Sequence, residues 1–365
     1  MTKYRVAVML APNKPIELRE IAEPNLDEGA ALLHTSYSEV CGTDVHLWHG
    51  KLAGVPYPII PGHVAVGTLG KIRGTMRDIN GESFKEGDAV TYLDVHETCN
   101  HCYQCLVAKQ PTRCPSRKVY GITYGLSDGL LGGWSEAVWL QKGLKLVRIP
   151  DGLSPETFIG GGCGLVTAIH AIDRAEIRLG NSVVVLGVGP VGQSAVALAR
   201  LSGAAEVIAV GGPEDRLEFA MKMGASHTVP LELSANERAA RIRQITGGRG
   251  ADIVIEAAGI AGAVTDALDM VRDGGRVAVC GQYTDSGDIA LNPHRQINRK
   301  HVELRGVWGS DYSHFHRAVQ IAAQFGDSVP WGAMVSRRFN LEETNAALEA
   351  VASRSVLKAI VTPNS

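Results

Sequence analysis

The chain has 365 residues, enough for two domains with substantial cores, and its 36 Lys+Arg against 38 Asp+Glu leave it nearly neutral. No basic block marks a nucleic-acid surface, and no apolar run approaches the ~20 residues of a membrane span. The start, Met-Thr-Lys-Tyr-Arg-Val-Ala-Val, has no apolar signal-peptide core, so a cytoplasmic protein with neither a membrane nor a nucleic-acid partner is expected.

From the N-terminus, residues 4–10, 16–21, 30–38, 64–72 and 88–93 read as short strands broken by turns, the spacing of a compact β barrel or sandwich. Between them lies Cys41-Gly-Thr-Asp-Val-His46, which gathers a thiol, a hydroxyl, a carboxylate and an imidazole. Pro56, Pro58 and Pro61 hold the approach to His63 extended and irregular, as suits a ligand-bearing loop. Cys99, Cys102, Cys105 and Cys114 follow in one excursion, and four thiolates there close a tetrahedral zinc site of the structural kind. His101 falls inside this loop but outside a tetrahedron already full.

Residues 153–172 read as helical and carry Cys163 and Thr167. Residues 181–186 form a continuous apolar run, as in a strand buried on both faces. Gly187-Val188-Gly189-Pro190-Val191-Gly192 comes next, and helical periodicity continues to 201. A lone GxGxxG says little, but a strand before it and a helix after it make a dinucleotide-binding βαβ unit. Strands at 206–210, 227–229, 251–256, 275–280 and 302–306 then alternate with helices at 213–223, 235–246 and 263–271, which predicts a doubly wound parallel sheet. Residues 314–325 and 341–353 have the pattern of amphipathic helices, and 356–361 that of a strand.

Seven cysteines, an odd number without a secretory signal, point to metal rather than disulfide use. Besides the four in the loop, Cys41, His63 and Cys163 could hold zinc and leave its fourth position open, the catalytic arrangement. Only Cys280 is then left over.

Taken in order, these motifs resemble the zinc-dependent medium-chain alcohol dehydrogenases along essentially the whole chain. The resemblance implies an α/β protein with an N-terminal GroES-like, β-rich catalytic domain (1–164) bearing a structural zinc lobe at 99–114. A Rossmann NAD(P)-binding domain would span 165–307, and 308–365 would return to the catalytic domain, with the active site in the cleft between. It further implies two zinc ions per chain and a homodimer or homotetramer paired through the Rossmann sheet edge. Cys41, His63 and Cys163 would hold the catalytic zinc, a Lewis acid for the substrate oxygen. Thr43 and His46, with the cofactor ribose between them, would relay the proton. Asp44 would accept from the ring N–H of His63 and fix its tautomer; turn chemistry after Gly42 is the alternative for Thr43 and Asp44.

The cofactor positions implied are Thr167, the run Gly187 to Gly192, Gly211, Gly212, Arg216, Ala258, Cys280 and Gly281. At the end of the strand after the glycine motif an acid normally reads the ribose 2′-OH. Here Gly211-Gly212-Pro213 stand there and Arg216 is close by, so NADP is not excluded. No Lys or Arg directly replaces the acid, and Glu214 and Asp215 add negative charge nearby, so the reading leans to NAD. Two departures stand out. Val64 replaces the family's Glu after the ligand His, and the Cys105–Cys114 spacing is one residue longer than is common.

The expected reaction is hydride transfer between a primary or secondary alcohol, or its carbonyl product, and a nicotinamide. A polyol or threonine-type dehydrogenase is the alternative within the class. A zinc module of a nucleic-acid-binding protein is disfavoured by the charge, and a non-catalytic relative by the intact ligand and relay residues. Leu52, Tyr57, Val95, His96, Tyr120, Tyr124 and Trp308 are candidate pocket walls, while Trp48 and His49 fit surface or packing roles equally.

Overall fold

Ala30–Val40, the longest strand among the described residues, organises the first half of a computed structural model that describes residues 2–364. Over its first four residues both faces are apolar. Ala31 and Leu33 pack with Leu69, Val90 and Tyr92, while Ala30 and Leu32 pack with Leu26 and Trp139. A strand covered on both sides needs such a continuous run rather than alternation. One edge pairs antiparallel with Ala65–Arg73. The other edge is shared by two strands distant in sequence, Ala137–Leu140 alongside residues 31–34 and Lys358–Val361 alongside residues 38–40. With Ala89–Tyr92, Leu146–Arg148 and Val335–Phe339 these form a seven-stranded sheet, and Lys3–Met9 with Ile16–Ala22 form a separate hairpin.

By contacts the chain divides into two units. The first comprises Met1–Gly162, Asp311–Gly326 and Trp331–Ser365. The second comprises Cys163–Ser310 and Asp327–Pro330.

The second unit holds six parallel strands in the spatial order His227–Pro230, Glu206–Gly211, Ser182–Leu186, Ala251–Glu256, Val271–Val279, Glu303–Gly306. Numbered along the chain this is the order 3-2-1-4-5-6, that of two mononucleotide-binding halves. Val183–Val185 and Val207–Val210 are fully buried, which is why their sequences are so uniformly apolar. The order reverses between Ser182–Leu186 and Ala251–Glu256, so the turns after those strands border the crevice where such sheets bind ligands.

Several elements depart from the sequence expectation. Gly42–Trp48 is a helix where no element was expected. The helix expected over 153–172 runs from Pro155 to Ala175 but breaks at Gly162, where φ is 46° and ψ −141°. Short strands at Val95–Glu97, Lys118–Val119 and Val335–Phe339 carried no sequence signal. No helix among the described residues is long and apolar enough to cross a membrane.

Candidate active site

Cys41 follows the central strand directly and caps the helix Gly42–Trp48. Its Sγ accepts the Thr43 N–H at 3.3 Å, and its own N–H donates to Asp44 Oδ2 at 2.8 Å. This reciprocal cap fixes the thiol's position at a buried helix start. His63 enters from the loop before Ala65–Arg73. The preceding Gly62 has φ +87°, and a Cβ there would lie 2.5 Å from the Trp134 ring, so only glycine lets the chain turn this tightly. His63 Nε2 stands 3.8 Å from Cys41 Sγ. Cys163, covalently next to Gly162 at the end of the first unit's long segment, completes the group: the donor atoms of all three lie within 4.8 Å of one another.

These residues fit a zinc ion. Tetrahedral coordination with Zn–S of about 2.3 Å and Zn–N of about 2.0–2.1 Å places donors roughly 3.6–3.8 Å apart. Burial alone would lower the His63 pKa, yet the Cys41 thiolate, then Asp44 and Asp94, push it up to about 10.

The hydrogen bond expected from the His63 ring to Asp44 is not made. His63 Nδ1 and Asp44 Oδ1 are both buried without a hydrogen-bond partner, and the two side chains interact only as charges. The cause is local: the other Asp44 oxygen is committed to the Cys41 N–H, which holds the carboxylate to the helix cap. Burial keeps the Asp44 carboxyl well above the usual carboxylate range. Thr43 and His46 lie half-buried on the same short helix. Burial, then the Lys51 ammonium, lowers the His46 pKa, so its imidazole is neutral at neutral pH and able both to accept and to donate.

Of the expected pocket walls, Tyr120 proves to be core. It is fully buried among Tyr92, Leu131 and Val138, and its Oη donates to Trp139 O at 2.9 Å. Val95 is buried as well. His96 Nδ1 pairs with Tyr124 Oη at 2.8 Å, and Tyr57 donates to Leu47 O. Trp308 stacks on Tyr283 with ring centres 5.7 Å apart. Trp48 donates to Lys14 O beside His49, a packing role.

The ligand atoms of Cys99, Cys102, Cys105 and Cys114 also lie within 4.8 Å of one another. The Cys99 N–H donates to Cys114 Sγ at 3.3 Å, and the backbone N–H of His101 holds the Cys99 thiol down to about 6. Asn100 turns the loop in the left-handed region at φ 55°. The His101 ring is occupied with Cys99 O at 2.7 Å rather than with the thiols. Four thiol donors with no open position match a structural zinc site.

In the second unit Ser182–Leu186 runs into Gly187, where φ is +109°, and the helix Pro190–Leu201 begins after Gly189. A Cβ on Gly192 would meet Gly187 O at 1.8 Å, while one on Gly189 would meet nothing within 4 Å. The first contact enforces close helix–strand packing; the second leaves the room a pyrophosphate needs at a helix start. Gly211 ends the next strand and Gly212 follows it, with Glu232 Oε1 3.7 Å from where a Cβ on Gly212 would lie. Arg216 sits in the first turns of Glu214–Lys222, and Thr167 lies half-buried on Pro155–Ala175. Ala258, Cys280 and Gly281 follow the fourth and fifth strands of the sheet.

Sequence reading missed the groups that hold these turns. The buried Glu256 carboxylate accepts N–H groups from Ala258 at 2.8 Å, Gly259 at 3.0 Å and Gly281 at 3.2 Å. Gln193 Nε2 donates to Val188 O at 3.2 Å and Arg216 O at 2.8 Å, tying the glycine turn to the following segment. A carboxylate closing the apolar run Ile253-Val-Ile255 was the available signal for Glu256.

Comparison with known proteins agrees with this geometry. The alcohol dehydrogenase GroES-like domain family matches residues 27–151, and the zinc-binding dehydrogenase family matches residues 190–324. The 5-exo-hydroxycamphor dehydrogenase of Pseudomonas putida is 31% identical, with 99% of each chain covered. D-arabinitol dehydrogenase 1 of Uromyces fabae is 29% identical over 93% of this chain and 92% of its own. Among solved structures, an alcohol dehydrogenase of Thermotoga maritima superposes with a TM-score of 0.95 at 34% identity over 100% of both chains. A zinc-binding dehydrogenase of Sinorhizobium meliloti bound to NADP does so with 0.86 at 25%, again over 100% of both. With a GroES-like β unit, a Rossmann sheet and these relatives across its full length, the chain belongs to the zinc-dependent medium-chain alcohol dehydrogenase family and is an oxidoreductase.

Proposed function

We propose that the protein transfers hydride between a primary or secondary alcohol, or its aldehyde or ketone, and a nicotinamide cofactor. The observation that supports this best is the group Cys41, His63 and Cys163: three protein donors leave one tetrahedral position for a substrate oxygen. Zinc held there supplies Lewis-acid stabilisation of negative charge on that oxygen. The chain's own residues do the rest. Thr43 Oγ1 accepts the hydroxyl proton and passes its own onward, and the neutral His46 imidazole takes it towards solvent. Cys99, Cys102, Cys105 and Cys114 hold a second, structural zinc. Relatives named for hydroxycamphor and for arabinitol support alcohol chemistry in general, with a polyol as the second reading.

The cofactor is NAD, because no Lys or Arg stands at Gly211 or Gly212 and Glu214 and Asp215 add negative charge close by. Discrimination against NADP is weak, because no acid occupies the end of the strand itself. An acid belongs at Gly212 rather than Gly211. A Cβ on Gly211 would lie 2.5 Å from Val188 Cγ2, whereas one on Gly212 meets Leu231 Cβ at 3.6 Å and, at 3.7 Å, the Glu232 carboxylate, which must turn aside from a second acid. Gly212→Asp should therefore leave NAD turnover within about twofold and depress NADP turnover roughly tenfold or more. The chain assembles as a dimer or tetramer through the sheet edge formed by Glu303–Gly306, which light scattering will test.

A panel of aliphatic, cyclic and polyhydric alcohols followed at 340 nm with each nicotinamide tests the whole reading. Turnover of none of them, in either direction, by protein that carries zinc would sink it.

A further inference from the structure

We propose that the buried ion pair Glu39–Lys358 is a positioning device for the metal held by Cys41, His63 and Cys163, and that it sets how firmly that site keeps its ion; the inference rests on reading those three residues as zinc ligands. Both side chains are 1% exposed, and Lys358 Nζ lies 2.8 Å from Glu39 Oε1. Lys358 also donates to Gly160 O at 2.9 Å and Gly161 O at 3.1 Å. An ammonium has three donors, and all three are used. The two carbonyls precede the break at Gly162, immediately before Cys163.

Glu39 reaches the other two ligands through its backbone. Its N–H donates to Val64 O at 3.0 Å, next to His63, and it stands two residues before Cys41 on the same strand. Its carbonyl accepts from Trp134 Nε1 at 3.1 Å, and the Trp134 ring packs against Gly62, just before His63. One residue pair is thus anchored beside every ligand of the group.

Gly162 shows how closely the parts fit. A Cβ there would lie 2.1 Å from Glu39 Oε2 and 2.7 Å from Lys358 Nζ. The backbone conformation that redirects the chain into Cys163 is therefore pressed directly onto the ion pair. Buried ion pairs are often no more stabilising than apolar groups of equal size, so stability alone does not account for two charges here. Direction does: the pair fixes the last carbonyls before the break, and with them the approach of the Cys163 thiol.

The test replaces both charges at once with groups of similar size, Glu39→Gln/Lys358→Met. Zinc release into excess chelator, followed with a chromogenic indicator, should be biphasic in the native protein, the open site emptying fast and the four-cysteine site slowly. In the double variant the fast phase should accelerate by ~10–100-fold, the scale on which groups that orient ligands act. The slow phase should not change, and the visible spectrum of cobalt loaded at the open site should shift. A general loss of structure would speed both phases together. A folded double variant with an unchanged fast phase and an unchanged cobalt spectrum overturns the proposal. If the double variant does not fold, Lys358→Arg decides, since it keeps the charge but seats its donors differently: a faster fast phase supports the proposal and an unchanged one overturns it. One zinc per native chain would overturn the ligand assignment itself, and this proposal with it, and the stoichiometry tells that failure apart.

Discussion

Cys99, Cys102, Cys105 and Cys114 come from one loop, and three of them remain partly exposed. Cys41, His63 and Cys163 come from three separated segments, and Cys41 and His63 are buried. The first group needs only its own loop to bring four thiols together. The second exists only when a helix cap, a glycine turn and a broken helix are all in place. Sites that must keep an open position are assembled from tertiary structure, because a self-contained loop tends to close its metal completely.

The sharpest way to break this contrast is to remove one ligand from the assembled group. Cys163→Ala should lower kcat/KM by about a thousandfold or more, since several kcal/mol of charge stabilisation disappear. Metal analysis should then find about one zinc per chain. Brief chelation makes the same division without mutation: activity should vanish while about half the zinc stays bound, and retention of activity after losing half would reverse the assignment of the two sites.

A smaller effect separates the groups by proton traffic, which only the assembled one carries. His46→Ala should cost at most about a hundredfold, the low end for general acid–base groups, because His46 sits at the relay's outer end. Burial lowers the His46 pKa, so the neutral, proton-accepting form persists below the ordinary histidine value of 6.5. The native acid limb should accordingly lie below pH 6.5. The variant's deficit should be greatest above that limb, where His46 is neutral, shrink as the pH falls through it, and be partly restored by small added bases. An unchanged pH–rate profile removes His46 from the mechanism.

The smallest catalytic effect belongs to the loop. Cys102→Ser should empty that site and lower the melting temperature by several degrees, while kcat/KM of the folded fraction changes by less than about threefold. A thousandfold loss there would erase the distinction between the groups.

What the sequence showed directly was chemistry that tolerates few residue types. Thiolates and imidazole at set spacings announced both metal groups, and glycines between a strand and a helix announced the dinucleotide turn. What stayed hidden depended on partners far along the chain. Gly42–Trp48 was unreadable as a helix because its cap is a cysteine, outside the usual Ser, Thr, Asp and Asn. Asp44 was assigned to His63, but the nearer backbone N–H of Cys41 captured it. Glu39 and Lys358 drew no reading, because nothing local to either shows a partner more than three hundred residues away. Tyr120 had the composition of a pocket wall and the surroundings of a core residue.

The pairing of Lys358–Val361 with the end of Ala30–Val40 also has a consequence for synthesis. Residues 99–114 leave the ribosome together, and their loop can take up zinc while the rest of the chain is still being made. Cys41 emerges earlier still, yet the strand that flanks it arrives more than three hundred residues later, on the order of tens of seconds at ~5–20 residues per second. During that interval its thiol belongs to a half-built sheet with an uncovered edge. The nascent chain should therefore acquire its metals in a fixed order, the loop first, and a cell starved of zinc should accumulate chains that have folded around one ion and still lack the other.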